Sequence, residues 1–109
     1  NKDLIYNNII NLQMEYHINR IVREYSFGQI QKLKLIQCSI AKWQLALFDE
    51  ITSGLDNNTI LFLEKKIEEW NNEKRTIIIT SHKDQWLRKL ADTIFIIKKN
   101  NLFRVEKND

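Results

Sequence analysis

Two glycines and no proline in 109 residues constrain this chain more than any other feature. Average usage would give a chain of this length about eight glycines. A glycine-rich phosphate cradle needs its glycines within a few residues of each other. Gly28 and Gly54 stand far apart, so neither G-x-G-x-x-G nor G-x-x-x-x-G-K-[ST] can be written here. Any nucleotide chemistry would have to be shared with a segment that supplies the cradle. The single cysteine, Cys38, closes off an internal disulfide and a cysteine-based zinc site. The length allows one domain at most. A formal net charge of +3 is too small to point to nucleic acid, and no nucleic-acid partner is expected.

The longest apolar runs, such as Thr76–Thr80 and Ile94–Ile97, are strand-sized and far short of a membrane span. The chain opens Asn1-Lys2-Asp3-Leu4, without Met or a signal pattern, which suggests a processed or partial chain. Asn, Ile and Lys dominate, at 12, 17 and 12 residues, and their codons suit an AT-rich genome.

Apolar residues from Leu4 to Ile21 recur at i, i+4 and i+7, which predicts one or two short helices with a turn at His17-Ile18-Asn19. Ser26 stands at an N-cap position, ahead of a long helix over residues 27–41. Gln44–Asp49 and Thr76–Thr80 read as buried parallel strands, because their centres are continuously apolar. Asn58-Thr59 looks like the cap of a helix over 60–71. A short helix follows over 83–91, then a strand over 93–98. Asn100-Asn101 turns into a last strand over 102–105. This order predicts an α/β layered sheet with parallel central strands. Residues 1–41 would form the end of a helical subdomain, and residues 42–109 part of an α/β core. Sites in such sheets lie beyond the carboxyl ends of the strands. That places Asp49, Glu50, Ser81 and His82 at the expected position.

Four short elements carry chemistry. Ser26 and Gly28 open a helix, where free N–H groups and the dipole favour an anion. Asp49 at a strand end offers the hard oxygen that Mg²⁺ prefers. Glu50 beside it suits a general base. His82, past the second strand, could reach a bound phosphate. In order and spacing these resemble the C-terminal half of an ABC-type ATPase. Its pattern runs as a Leu-Ser-Gly-Gly-Gln signature, a Walker B strand ending Asp-Glu, a Ser-Gly-Leu-Asp D-loop, and a switch histidine. Here the matching residues are Ser26-Phe27-Gly28-Gln29, Asp49-Glu50, Ser53-Gly54-Leu55-Asp56 and His82. Phe27 replaces a usual Gly, and Ile51 stands where Pro commonly follows Asp-Glu.

The resemblance implies the C-terminal half of a P-loop NTPase-type layered sheet. It further implies ATP and Mg²⁺ as cofactors. Ser26, Phe27, Gly28 and Gln29 would meet the γ-phosphate of ATP held by a second cassette. Asp49 would hold Mg²⁺ through water, Glu50 would polarise the attacking water, and His82 would steady it. Ser53, Gly54, Leu55 and Asp56 would couple two sites. The implied partners are a P-loop-containing N-terminal half, a second cassette and transmembrane transporter subunits. The implied location is a membrane, on its ATP-containing side. The lead-in Arg23–Gln29 is similar to the small cassettes that export haem for cytochrome c maturation, which would mean the matrix face of the mitochondrial inner membrane. Two other readings stand beside this one. A non-catalytic subunit of a mitochondrial or ribosomal assembly could keep the fold without turnover. The head segment of a DNA-repair or chromosome ATPase would carry the same motifs, but residues 1–24 show no sustained heptads. Cys38, His17, Trp43, Trp70 and Trp86 are expected to be packing or surface residues.

Overall fold

The shortage of glycine shows first in the backbone. A computed structural model describes residues 2–106, and within them Gln13, Glu50, Lys74, Lys99 and Asn100 all take positive φ. These are turn positions where glycine is the usual choice, and an L-residue there costs roughly 1 kcal/mol. Lys74 follows the helix that ends at Asn72, the place where a left-handed residue closes a helix. Lys99 and Asn100, at φ 51° and 63°, form the two-residue hairpin turn.

The elements are α1 (Lys2–Asn11), α2 (Phe27–Ile40), β1 (Leu45–Asp49), α3 (Asn57–Asn72), β2 (Thr76–Thr80), α4 (Asp84–Leu90), β3 (Ile94–Lys98) and β4 (Asn101–Val105). Two short 3₁₀ turns, Glu15–His17 and Val22–Glu24, lie between α1 and α2. The fold is mixed α/β with a parallel sheet, as the element order predicts. β1 pairs parallel to β2, with Asp49 opposite Thr80. β3 pairs antiparallel to β4, with Ile97 opposite Leu102. The strands form two separate two-stranded sheets. The expected hairpin is present, with its turn at Lys99-Asn100 rather than Asn100-Asn101, and among the described residues it does not join the β1–β2 sheet.

The core gathers Leu12 and Met14 from beyond α1, Leu35 and Ile36 from α2, Ile51 from the loop after β1, and Leu63, Ile67 and Trp70 from α3. Fully burying a Leu or Ile contributes roughly 1.5–3 kcal/mol. Trp70 also meets Trp43 edge-on at 5.0 Å, and the Arg75 guanidinium lies 4.7 Å over Trp43. The tryptophans are packing residues, as expected. Cys38 is half-buried, and burial pushes its thiol pKa up despite the Trp43 and Arg75 contacts. The acidic-basic run of α3 is less solvated than its composition suggests. Glu64 accepts from the Trp86 indole at 2.9 Å and pairs with Lys89 at 3.7 Å, tying α3 to α4.

β1 and β2 are half-covered rather than buried. Phe48, Ile77 and Ile79 face the core, while Leu45, Leu47 and Ile78 are exposed on the other face. In the hairpin, Phe95, Ile97 and Leu102 are also exposed. An open cleft of about 1610 Å³ runs between the sheets and is bounded by α3, β2 and β3. Every residue of β2 from Thr76 to Thr80 lines it, so the cleft follows that strand's edge. The radius of gyration, 15.4 Å, exceeds the roughly 13 Å of a compact domain of this length.

Candidate functional site

Ser26 takes extended backbone, with φ −66° and ψ 166°, and caps α2. Its Oγ accepts from the Gln29 amide at 3.1 Å, and Gln29 Oε1 accepts from the Ser26 amide at 2.9 Å. This reciprocal pair fixes the entry to the helix. The N-cap expected at Ser26 is present, and Gln29 completes it. Phe27 is the first helical residue and is exposed.

The two glycines turn out to touch each other's surroundings. A Cβ on Gly28 would lie 2.8 Å from the Gly54 carbonyl oxygen. A Cβ on Gly54, where φ is +76°, would lie 2.6 Å from the Phe27 ring. Each glycine therefore permits a close approach between the α2 turn and the loop after β1. Two further contacts reinforce that approach. Lys32 pairs with Asp56 Oδ2 at 3.3 Å, and Gln31 Nε2 reaches the Ile51 carbonyl at 3.4 Å.

The second grouping lies at the strand ends. Thr80 Oγ1 donates to Asp49 Oδ1 at 2.6 Å. The Glu50 amide lies 3.0 Å from both the Thr80 carbonyl and its Oγ1. Glu50 sits at φ 51°, a left-handed conformation that turns the chain out of β1. His82 Nε2 lies 3.3 Å from Glu50 Oε1, and the His82 side chain is 96% exposed. The structure thus brings Asp49, Glu50 and His82 together around Thr80. Thr80 was read only as the end of a strand. Its register opposite Asp49 is a long-range pairing that no local pattern announces. Ser53 lies in the turn after Glu50, where its amide donates to the Glu50 carbonyl at 3.1 Å. Leu55 is half-buried against the core.

Asp56, and not the expected Asn58-Thr59, caps the next helix. It is the N-cap of α3, and its Oδ1 accepts from the Thr59 amide at 2.8 Å. The helix starts at Asn57, three residues earlier than expected, because Asp56 is placed to reach that amide. Thr59, side chain and then amide, and Lys32 hold the Asp56 carboxyl below its ordinary range against a small desolvation effect. A depressed folded-state pKa means stability that is present above the unfolded value near 3.9 and lost as pH falls through the folded one. Asp56→Ala should cost about 1 kcal/mol at pH 7. Asp56→Asn keeps a cap and should cost a few tenths, because the Asp56 side of the Lys32 pair is about half exposed to water. The gap between wild type and Asp56→Asn should close below about pH 4, as Asp56 protonates. Denaturant melts of the two variants across pH check this.

His17 is the other residue the sequence undervalued. It is half-buried, and Tyr25, Arg20 and Gln29 surround it. No local pattern announces these partners, since Gln29 lies far along the chain. No helix among the described residues is long and apolar enough to cross a membrane. No cluster of three or more His, Cys, Asp or Glu residues among them could hold a metal on its own.

Comparison with curated proteins bears on this arrangement. The chain is 35% identical over 82% of its length to a Mycoplasma pneumoniae protein named for carbohydrate transport and ATP binding. It is 31% identical over 84% of its length to YjkB of Bacillus subtilis, named as an ABC transporter ATP-binding protein. It is 31% identical over 77% to the ABC transporter ATP-binding protein NatA of the same organism. Its homologues are ABC transporter ATP-binding proteins. The chain spans 16%, 37% and 34% of those three relatives, well under half of each. No protein-family model matches it. The names do not agree on a cargo, since mam1 of Schizosaccharomyces pombe, 37% identical over 69% of the chain, is a mating factor M secretion protein.

Proposed function

We propose that this chain supplies the C-terminal half of an ABC-type ATPase, with its P-loop provided by a segment outside these 109 residues. The observation that carries the reading is the juxtaposition of Asp49, Glu50, Thr80 and His82 at the ends of two parallel strands. The cleft between the sheets supports it. Among the described residues β2 bonds only to β1, and β3 only to β4. Two free strand edges therefore border a space that further chain of the same cassette would fill.

In this reading ATP and Mg²⁺ are the cofactors. Mg²⁺ uses one or two carboxylates and completes its shell with water and substrate phosphates, so a lone Asp49 fits it. Bound there, Mg²⁺ would offset the negative charge that develops on the phosphates. Thr80 orients Asp49 by holding Oδ1, and the Asp49 carboxylate would help hold Mg²⁺. Glu50 polarises the attacking water and accepts its proton. His82, within reach of Glu50, helps hold that water. The Ser26 hydroxyl and the α2 amides at Phe27 and Gly28 contact the γ-phosphate of ATP bound by a second cassette. Residues 53–56 carry movement between the two sites, through Gly54 on one side and Ser53 beside Glu50 on the other. Transmembrane subunits complete the transporter, which places the chain at a membrane surface. Haem export from the mitochondrial matrix is the narrower proposal, and it rests on the Tyr16–Gln29 segment with its Arg23–Gln29 lead-in and on the AT-rich composition.

The test is physical association. Tagged and recovered from its own cells, the chain should come with P-loop sequence, either continuous with it or as a tightly held second polypeptide. Recovery without any P-loop sequence would overturn the reading. The exposed Leu47, Ile78 and Ile97 add a second expectation. The isolated 109 residues should self-associate in light scattering, whereas a stable monodisperse monomer would count against a missing half.

A further inference from the structure

The segment before α2 is closed by side chains into a small structure of its own. The Tyr25 hydroxyl donates to the His17 carbonyl, and the Tyr25 ring meets the His17 ring edge-on at 6.1 Å. Both imidazole nitrogens have a side-chain nitrogen within hydrogen-bond distance. Nδ1 lies 3.0 Å from Arg20 Nη1, and Nε2 lies 3.1 Å from Gln29 Nε2. Arg20 is itself held, since Nη2 donates to the Glu24 carbonyl at 3.2 Å. Gln29 is the residue whose Oε1 accepts from the Ser26 amide. His17 therefore abuts the far side of the amide group that completes the cap.

The chemistry limits what the ring can do. Arg20 Nη1 and Gln29 Nε2 are both donors, and neutral imidazole has one acceptor nitrogen. That acceptor can serve Gln29 or Arg20, not both. Ser26 is exposed, and the Gln29 side chain is what protects its amide from water. A Gln side chain left free would rotate among several conformers and spend less time against Ser26.

We infer that His17 is a positioning residue for the Ser26–Gln29 turn: its Nε2 accepts from Gln29 and so holds the turn in shape for a phosphate. The inference rests on the proposed ATPase reading only for the phosphate; the positioning itself stands on the contacts around His17. His17 touches no reacting atom in this account, so its effect passes through Gln29 to Ser26. A turn held in advance lowers the ordering cost of binding and leaves the hydrolytic step alone.

Three variants in the full cassette, together with its P-loop part, test this. His17→Ala should raise hydrogen exchange at the Ser26 amide roughly tenfold, against unchanged exchange in β1 and β2. It should raise KM for ATP by a similar factor, with kcat within about twofold. His17→Gln places an acceptor near the Nε2 position and should restore both values. His17→Asn places its acceptor near Nδ1, toward Arg20, and should not. Unchanged Ser26 exchange in His17→Ala would overturn the inference. So would rescue by Asn equal to that by Gln, because the Arg20 contact would then be the one that matters. Exchange raised evenly across β1 and β2 would also overturn it, as the sign of general loosening. If the wild-type cassette hydrolyses no ATP, the ATPase reading falls, while the Ser26 exchange comparison still decides the role of His17.

Discussion

Glu50→Gln in the assembled cassette should lower ATP turnover by at least about a hundredfold, the lower bound for losing a general base. ATP binding should persist, because the substitution keeps size and removes only the basic oxygen. Stability should change by no more than about 0.5 kcal/mol, since Glu50 is partly exposed and lies outside the core cluster. Steady-state turnover and nucleotide binding, measured on the same preparation, separate these outcomes. The geometry explains why the effect should be large. Glu50 is fixed by its backbone rather than by packing: its amide lies against Thr80, and its φ is held at 51°. That leaves the carboxylate free to meet His82 at 3.3 Å and a water beside it. Turnover unchanged in Glu50→Gln would remove the water-polarising role.

Gly28→Ala should have the second-largest effect, on stability and turnover together. Gly28 is the second residue of α2, where Ala would ordinarily gain about 1 kcal/mol in helix propensity. Here the new methyl meets the Gly54 carbonyl oxygen at 2.8 Å, a backbone atom that cannot swing away. Overpacking of this kind costs about 1–3 kcal/mol, so a net loss of about 1 kcal/mol is expected. The larger consequence is displacement of the turn against the loop. A shift on the order of 1 Å in a positioned group can cost up to about a hundredfold in rate. Gly54→Ala makes the contrast. Its methyl would strike Phe27 at 2.6 Å, but Phe27 is an exposed side chain that can turn aside. Adding Phe27→Ala should therefore relieve the steric part of Gly54→Ala and leave Gly28→Ala as it was. Denaturant melts and turnover on the three backgrounds check the prediction. Gly28→Ala as stable and as active as wild type would mean that the two loops do not depend on each other.

The parts of this protein that were readable in its sequence are those decided over short range. Ser26 announces a cap because Gln29 stands three residues on, and both halves of the reciprocal pair are local. Asp49-Glu50 and His82 are readable because strand ends are where a parallel sheet opens to ligands. Harder cases arise where several residues could do one job. Asp56, Asn57, Asn58 and Thr59 are all plausible caps, and only the observed Thr59-to-Asp56 bond selects Asp56. Long-range partners were not readable at all. Nothing near His17 points to Gln29, and nothing near Gly28 points to Gly54. The strand at 94–98 and its hairpin with the last strand were expected, yet nothing local to them could say that the hairpin would stand apart from β2. The same limit explains β1 and β2. A continuous apolar run implies cover on both faces, but Leu45, Leu47 and Ile78 are left open.

Those open faces, and the glycine shortage, converge on one measurement. Equilibrium binding of a fluorescent ATP analogue with Mg²⁺ should be compared for the 109 residues alone and for the same residues joined to their P-loop part. No saturable binding by the 109 residues is expected at millimolar nucleotide, and saturable binding with turnover is expected once the P-loop is present. Tight binding by the 109 residues alone would contradict it, because a chain without a glycine-rich loop would then have made a phosphate cradle by itself.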